Sequence, residues 1–337
     1  MNGGTGEFEL IERLRERLGR SGLPVGPGDD AAVLPASGGA VVTVDTSVEG
    51  LHFPLDWDDP VGIARRAIAV SLSDLAAMAA LPGQVLIALG VPTGRERDFW
   101  LSLAEGVVEA ASDFGVELAG GDVVRSPVLF LSVTAIGSLP DGQAAVTRAG
   151  ATPGDLVAVT GSIGGARAGL LAHQQMLFDP STGPQEAGDA RARLLDRYLR
   201  PTPLLEAGVA FGSEGAGAMI DVSDGLLADL GHVARESGVR IVLDPDSIPV
   251  DPAPGEVDDL IDPDELLATA LVGGDDYELA LTFPPERLEP LQAAASAAGT
   301  ELTVIGTVAE GEGVELPDGF PESASAILAR HGFEHSF

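Results

Sequence analysis

Lysine and cysteine are both absent from this chain of 337 residues, and its 19 basic residues are all arginine. Without cysteine there is no disulfide, no thiolate metal site and no cysteine nucleophile, so the chain carries no redox chemistry of its own. Without lysine a Walker-type phosphate loop cannot be completed. The one glycine-rich turn that invites that reading, GSIGGARAG at 161–169, matches neither GxxxxGK[ST] nor GxGxxG, and it reads as a tight strand-to-helix turn. Long apolar runs are missing too. Nothing approaches the roughly 18 apolar residues that span a bilayer, and the leading MNGGTGEFELIERLRERLG lacks the apolar core of a signal peptide. A cytoplasmic location and no membrane partner are expected. Positive charge is scarce overall: 52 acidic residues stand against 19 basic ones, for a net charge of −33. Such a surface repels a nucleic-acid backbone, so no nucleic-acid partner is expected, and much of the acid content is a solvated surface without further role.

What the chain does have is apolar material, 45% of its residues, in a length that exceeds one ordinary core. Two domains are expected, 1–140 and 141–337, with the Gly/Pro/Asp stretch 138–154 between them. In the first, apolar spacing predicts a leading helix over 7–19, strands at 31–34 and 40–44, and a long alanine-rich helix from Pro60 to Ala80 with one apolar face. A strand at 85–91, a helix at 96–114, the loop string GVELAGGD and a strand at 128–137 follow. The second half predicts strands at 156–160, 218–222, 240–243 and 279–283, a helix after the glycine turn, another after residue 225, and loops at 177–188 and 245–263. The alternation implies an α/β layer fold.

Set on this frame are six short aspartate-bearing strings: GDDAAV at 28–33, VDTSVEGLHF at 44–53, SLSDLAAM at 71–78, GGD at 120–122, DVSDG at 221–225 and GGDDYEL at 273–279. Carboxylates and phosphates are both anions, but carboxylates that share Mg²⁺ can hold a nucleotide triphosphate. Each string also has a plainer reading. Asp29 and Asp30 follow a glycine, as in a turn, and Ser223 and Asp224 are the residue types that cap a helix. GGD is a common loop string. Asp74 stands in an Ala/Leu-rich helix, where a carboxylate faces either water or a cation. His52 is either structural or a donor to phosphate, and Arg148, in VTRAG, is either a surface ion pair or a bidentate phosphate fork.

Taken in this order and spacing, the strings resemble the thiamine-monophosphate kinases of the aminoimidazole-ribonucleotide synthetase superfamily, over nearly the whole chain from GDDAAV to the terminal HGFEHSF. The resemblance implies that superfamily's two-domain fold, classed α/β (α+β), each domain a mixed sheet covered by helices. It implies ATP-dependent phosphorylation of thiamine monophosphate by in-line transfer with several Mg²⁺ ions, the last step of thiamine diphosphate formation, in a homodimer joined through the N-terminal domains. Position by position, it implies a metal shell of Asp29, Thr43, Val44 (through its backbone), Asp45, Asp74, Asp122, Asp221 and Asp224, with Asp30 in support. Asp45, Asp122 and Asp224 carry the catalytic assignment. Gly121, Asp122, Arg148 and Ser223 match the ATP contacts, and His52, Asp275 and Phe333 the contacts to thiamine monophosphate. Departures are Asp275 where the family commonly has Glu, Ser47 where an apolar residue is usual, a glycine turn without its usual aspartate, and Ala104 in place of an aromatic that would flank the adenine. Selenophosphate synthetases and hydrogenase-maturation dehydratases share the fold but need a cysteine or selenocysteine. An aminoimidazole-ribonucleotide synthetase is less well matched by EGLHF and GGDDYEL. An acidic cation-binding protein would not account for aspartates ordered at strand ends and helix starts.

Overall fold

The aspartate strings are carried by two sheets. The computed structural model describes residues 24–25, 29–34, 39–55, 57–178, 188–252, 256–316 and 322–328; the expected helix over 7–19 and Phe333 lie outside them. The first sheet contains β1 (Ala32–Leu34), β2 (Ala40–Val48), β3 (Leu81–Val91), β4 (Glu117–Arg125) and β5 (Phe130–Ser138), in the order β1-β2-β5-β3-β4. All its pairings are antiparallel except β3 with β4. Helices α1 (Pro60–Ala77) and α2 (Arg97–Asp113) cover one face of it.

The sequence places α1 well and explains where it begins. Asp59 caps it by accepting from the Gly62 N–H at 2.9 Å, and Pro60 occupies the first turn, where no donor is lost. The expectation of a single apolar face is corrected: 14 of its 18 residues are buried. Small side chains let it serve two layers at once. One side lies on the first sheet, while Ala76 and Ala77 enter a second core with Phe211, Leu281 and Phe283. GGD is corrected as well, since it lies in β4, an edge strand exposed along its whole length, and not in a loop. The strand accepts Gly121 only as glycine, because a Cβ there would stand 2.1 Å from the Ile87 carbonyl oxygen.

The second sheet, β6 (Leu156–Thr160), β7 (Ala218–Asp221), β8 (Arg240–Leu243), β9 (Leu279–Phe283), β10 (Leu302–Ala309) and β11 (Gly313–Glu315), runs in the order β11-β8-β10-β6-β9-β7. It is mixed, with β11 parallel to β8. The helices of this half are α3 (Gly165–Phe178), α4 (Gly188–Leu199), α5 (Leu205–Glu214), α6 (Leu226–Ser237), α7 (Leu266–Val272), α8 (Leu288–Ala297) and α9 (Glu322–Leu328). Apolar side chains fill both faces: Ile220, Leu230 and Ile241 on one, Met219, Phe211 and Phe283 on the other. Among the described residues, the acidic stretch 245–263 has only short helical turns at Pro245–Ser247 and Pro263–Glu265, as the proline content predicts.

Candidate functional site

Four elements from the two halves deliver aspartates to one cavity of about 1040 Å³. Along β2 the side chains alternate, so Thr43 and Asp45 share the face turned toward α1 while Val44 points outward and is exposed. Asp74, near the end of α1, meets Thr43, whose hydroxyl donates to Asp74 Oδ2. Asp221 is the last residue of β7, and Asp29 with Asp30 stands just before β1. One carboxylate oxygen each from Asp30, Asp74 and Asp221 lie within 4.8 Å of one another.

So many carboxylates in a poorly solvated place hold their protons more tightly. Burial first, and then the neighbouring Asp45, Asp221 and Asp30 charges, push Asp74 well above the usual carboxylate range. Burial and Asp30 raise Asp221 to about 8, and burial and Asp30 raise Asp29 to about 6. Asp45 is also raised, chiefly by burial, and its buried Oδ2 has no hydrogen-bond partner among the described residues. An orphaned carboxylate oxygen beside three converging ones is the donor set of a hard divalent cation, which takes only oxygen ligands. The residues therefore fit Mg²⁺.

Arginine and histidine finish this wall. Arg148 forks onto Asp30, from Nε to Oδ2 at 3.2 Å and from its terminal nitrogen to Oδ1 at 2.6 Å, and its backbone N–H donates to Asp29 Oδ2 at 3.1 Å. In this structure it is an internal ion pair at the cavity's edge rather than a surface one. His52 accepts the Val48 N–H on Nδ1 at 3.1 Å, so the proton of its neutral ring sits on Nε2. Ser223, Asp224 and Asp275 line the same cavity.

Two expected residues are elsewhere. Gly121 and Asp122 are not on the cavity wall. Register explains why: Asp122 pairs with Ala88 of β3, Ala88 with Ser132 of β5 and Ser132 with Thr46 of β2, so it stands three strands, roughly 14 Å, from β2. Thr46 points away from the Thr43 and Asp45 face, and Asp122 shares its row. Ala104 sits on the exposed side of α2, outside the cavity lining.

A family model described as AIR synthase related protein, N-terminal domain, matches residues 28–139, and its C-terminal counterpart matches 152–319. The thiamine-monophosphate kinase of Salmonella typhimurium is 39% identical over 324 residues, which cover 94% of this chain and 95% of the relative. The chain belongs to the thiamine-monophosphate kinase family. Among solved structures, a thiamine-monophosphate kinase from Stenotrophomonas maltophilia K279a is 39% identical with a TM-score of 0.75, covering 94% of this chain and 98% of that one. The structure titled AaThiL complexed with AMPPCP and TMP is 31% identical with a TM-score of 0.81, covering 98% and 97%.

Three residues escaped the sequence reading of this family member. The cap of α6 is Gly225, and neither Ser223 nor Asp224 caps it. Asp229, in the helix's first turn, accepts the N–H groups of Ser223, Asp224 and Gly225 at 3.1–3.2 Å and so fixes the DVSDG loop from behind. Asp276 does the same for the glycine turn, accepting from Gly164 at 2.6 Å and Ala166 at 3.1 Å. The signal for Asp229 was an acid in a first turn, where the helix dipole favours it. For Asp276 only the doubled aspartate hinted at two roles. Arg66, the third, is buried within α1, and its signal was a charged pair, Arg65-Arg66, inside an alanine-rich run.

Proposed function

We propose that this chain transfers the γ-phosphoryl group of ATP to the phosphate of thiamine monophosphate, giving thiamine diphosphate and ADP. The observation that carries the reading is the convergence of Asp30, Asp74 and Asp221 beside the unpartnered oxygen of Asp45, in a cavity large enough for both substrates. A solved relative of the same fold supports the choice of substrates, being complexed with AMPPCP, an ATP analogue, and TMP.

The acceptor phosphate is already ionised at neutral pH, so no general base is required and catalysis consists of alignment and charge screening. When bound, Mg²⁺ neutralises the charge spread over the phosphoryl oxygens. Asp29, Thr43, Val44 by its backbone, Asp45, Asp74, Asp221 and Asp224 would hold the ions, and the Arg148 fork fixes the orientation of Asp30 beside them. Ser223 and Arg148 would meet the nucleotide phosphates, and His52 and Asp275 the acceptor; that all four line the one cavity supports this. A domain division at about residue 140 agrees with one sheet on each side of it.

Asp122 and Gly121 have a place in this reading only if a second copy covers their face of the first sheet. That face exposes Val44 and Leu86 beside Asp122, so we assign the homodimer to it and Asp122 to the junction. Among the described residues no helix is long and apolar enough to cross a membrane, and a reaction that consumes ATP would belong in the cytoplasm. The test is purified protein with ATP, Mg²⁺ and thiamine monophosphate, with thiamine and formylglycinamidine ribonucleotide as rival acceptors. Thiamine diphosphate and ADP formed one for one are expected; product from a rival acceptor alone would refute the reading.

A further inference from the structure

Of the two arginines in α1, Arg66 is the buried one, its side chain only 3% exposed. It does not line the cavity but lies directly behind three residues that do. Its Nε donates to the His52 carbonyl at 3.3 Å, one terminal nitrogen donates to the Tyr198 carbonyl, and the other donates to Asp275 Oδ1 at 2.5 Å. The guanidinium also lies over the Tyr198 ring, 4.9 Å from its centroid. One planar group thus ties the loop after β2, the end of α4 and the segment before β9, from both halves of the molecule. A planar fork spreads its donors over three nitrogens and reaches all three partners, which the single nitrogen of an ammonium does less well.

Asp275 is the residue most in need of such support. It holds φ of +68° and Tyr277 holds φ of +53°, both in the left-handed region that non-glycine residues enter at a cost. Backbone bonds from Asp275 N–H to the Ser223 carbonyl at 2.8 Å and from Tyr277 N–H to the Val222 carbonyl at 2.9 Å pin this strained stretch against DVSDG. Within it, the Tyr277 hydroxyl donates to the same oxygen, Asp275 Oδ1, at 3.0 Å. Two buried donors meeting on one oxygen fix the carboxylate's rotation, in a side chain that lines the cavity and is a third exposed.

The geometry points to Arg66 as a positioning residue for the acceptor subsite: it sets His52, Tyr198 and Asp275 as one rigid wall against a cationic, ring-bearing phosphate monoester. This rests on the thiamine monophosphate reading and extends it to a residue that touches no substrate. Arg66 and Asp74 are eight residues apart on one helix, roughly 12 Å, so α1 spaces the ring-binding wall from the carboxylate cluster as a rod does.

The test compares Arg66→Met, Arg66→Lys and Tyr277→Phe with the wild type, by calorimetric Kd for thiamine monophosphate and by KM for ATP in the kinase reaction. Arg66→Met is expected to weaken thiamine monophosphate binding by about tenfold or more while KM for ATP moves less than about twofold. Arg66→Lys should recover part of the loss, and Tyr277→Phe, which leaves the buried charge pair intact, should weaken binding by about threefold to tenfold in the same selective way. Parallel losses toward both substrates, or unchanged Kd in folded variants, would overturn the positioning role. If Arg66→Met does not fold, the selective pattern in Tyr277→Phe and Arg66→Lys decides alone. A wild type that binds no thiamine monophosphate sinks the functional reading and this inference together, whereas a wild type that binds it beside indifferent variants sinks only the inference.

Discussion

At Asp74 the same carboxylate that would hold a cation also destabilises the cation-free protein. It faces Asp45, Asp221 and Asp30 from a poorly solvated position, with the Thr43 hydroxyl as its hydrogen-bond partner. Asp74→Asn keeps the shape and an oxygen for Thr43 while removing one of the repelling charges. Without metal, the variant is therefore expected to melt no lower than the wild type. With Mg²⁺, the wild type should gain melting temperature and the variant should not, since the ligand stabilises only what binds it. Turnover should fall at least about a hundredfold. A melting curve with Mg²⁺ and with chelator decides this, and a variant that still gains as much as the wild type would remove Asp74 from the metal shell. The residues of this cluster were legible because each sat in a string whose spacing relative to glycine, serine or a strand end carries meaning. Arg66, Asp229 and Asp276 were not, because their roles are set by backbone groups distant in sequence. Nothing at position 66 announces that carbonyls of residues 52 and 198 will arrive there.

Elements read well where apolar period and local termination signals agreed, as for α1 with its Asp59-Pro60 start and for β6, β7, β8 and β9. They failed where tertiary context overrode composition. β4 carries GGD and loop-like glycines, and it is a strand because β3 offers it a parallel ladder. The glycine turn before α3 shows how a distant acid completes an element: Gly164 is at φ +90°, and Asp276 satisfies the amides of Gly164 and Ala166. Burial raises the Asp276 carboxyl to about 7, against the lowering pull of these amides and of Arg197. Its unfolded value is about 3.9, so between about pH 4 and pH 7 the native state keeps a proton the unfolded chain has released. Stability from this group is full below about pH 4 and is lost as pH rises through about 7. Asn does not titrate, and with one acceptor oxygen it can satisfy only one of the two amides. Asp276→Asn should thus cost about 1–3 kcal/mol near pH 5, and the gap to the wild type should narrow by pH 8. Urea midpoints at the two pH values measure it; a gap that widens with pH would contradict the assignment.

For the whole molecule, the first sheet has one face under α1 and α2 and another that nothing among the described residues covers. Val44 is 61% exposed and Leu86 36% exposed, yet a stable monomer gains nothing from apolar side chains in such a row. The sequence could not reveal this surface, because alternation of apolar residues in β2, β3 and β5 tells that a strand is half buried but not which of its two faces meets its own chain. The same face carries Asp122, three strands from the cavity and turned away from it. A self-complementary interface of ordinary size, about 800 Å² per partner, would dispose of the apolar exposure and bring Asp122 to a shared boundary. Leu86→Glu places a charge in the middle of that face while leaving the core under α1 untouched. The wild type is expected to be a dimer by light scattering and the variant a monomer with an unchanged far-ultraviolet circular dichroism spectrum. If Asp122 acts at the junction, Asp122→Asn should abolish turnover without changing the mass, and Leu86→Glu should lose both. A Leu86→Glu protein that stays dimeric would move the interface elsewhere, and a monomer with full turnover would show that Asp122 takes no part in the reaction.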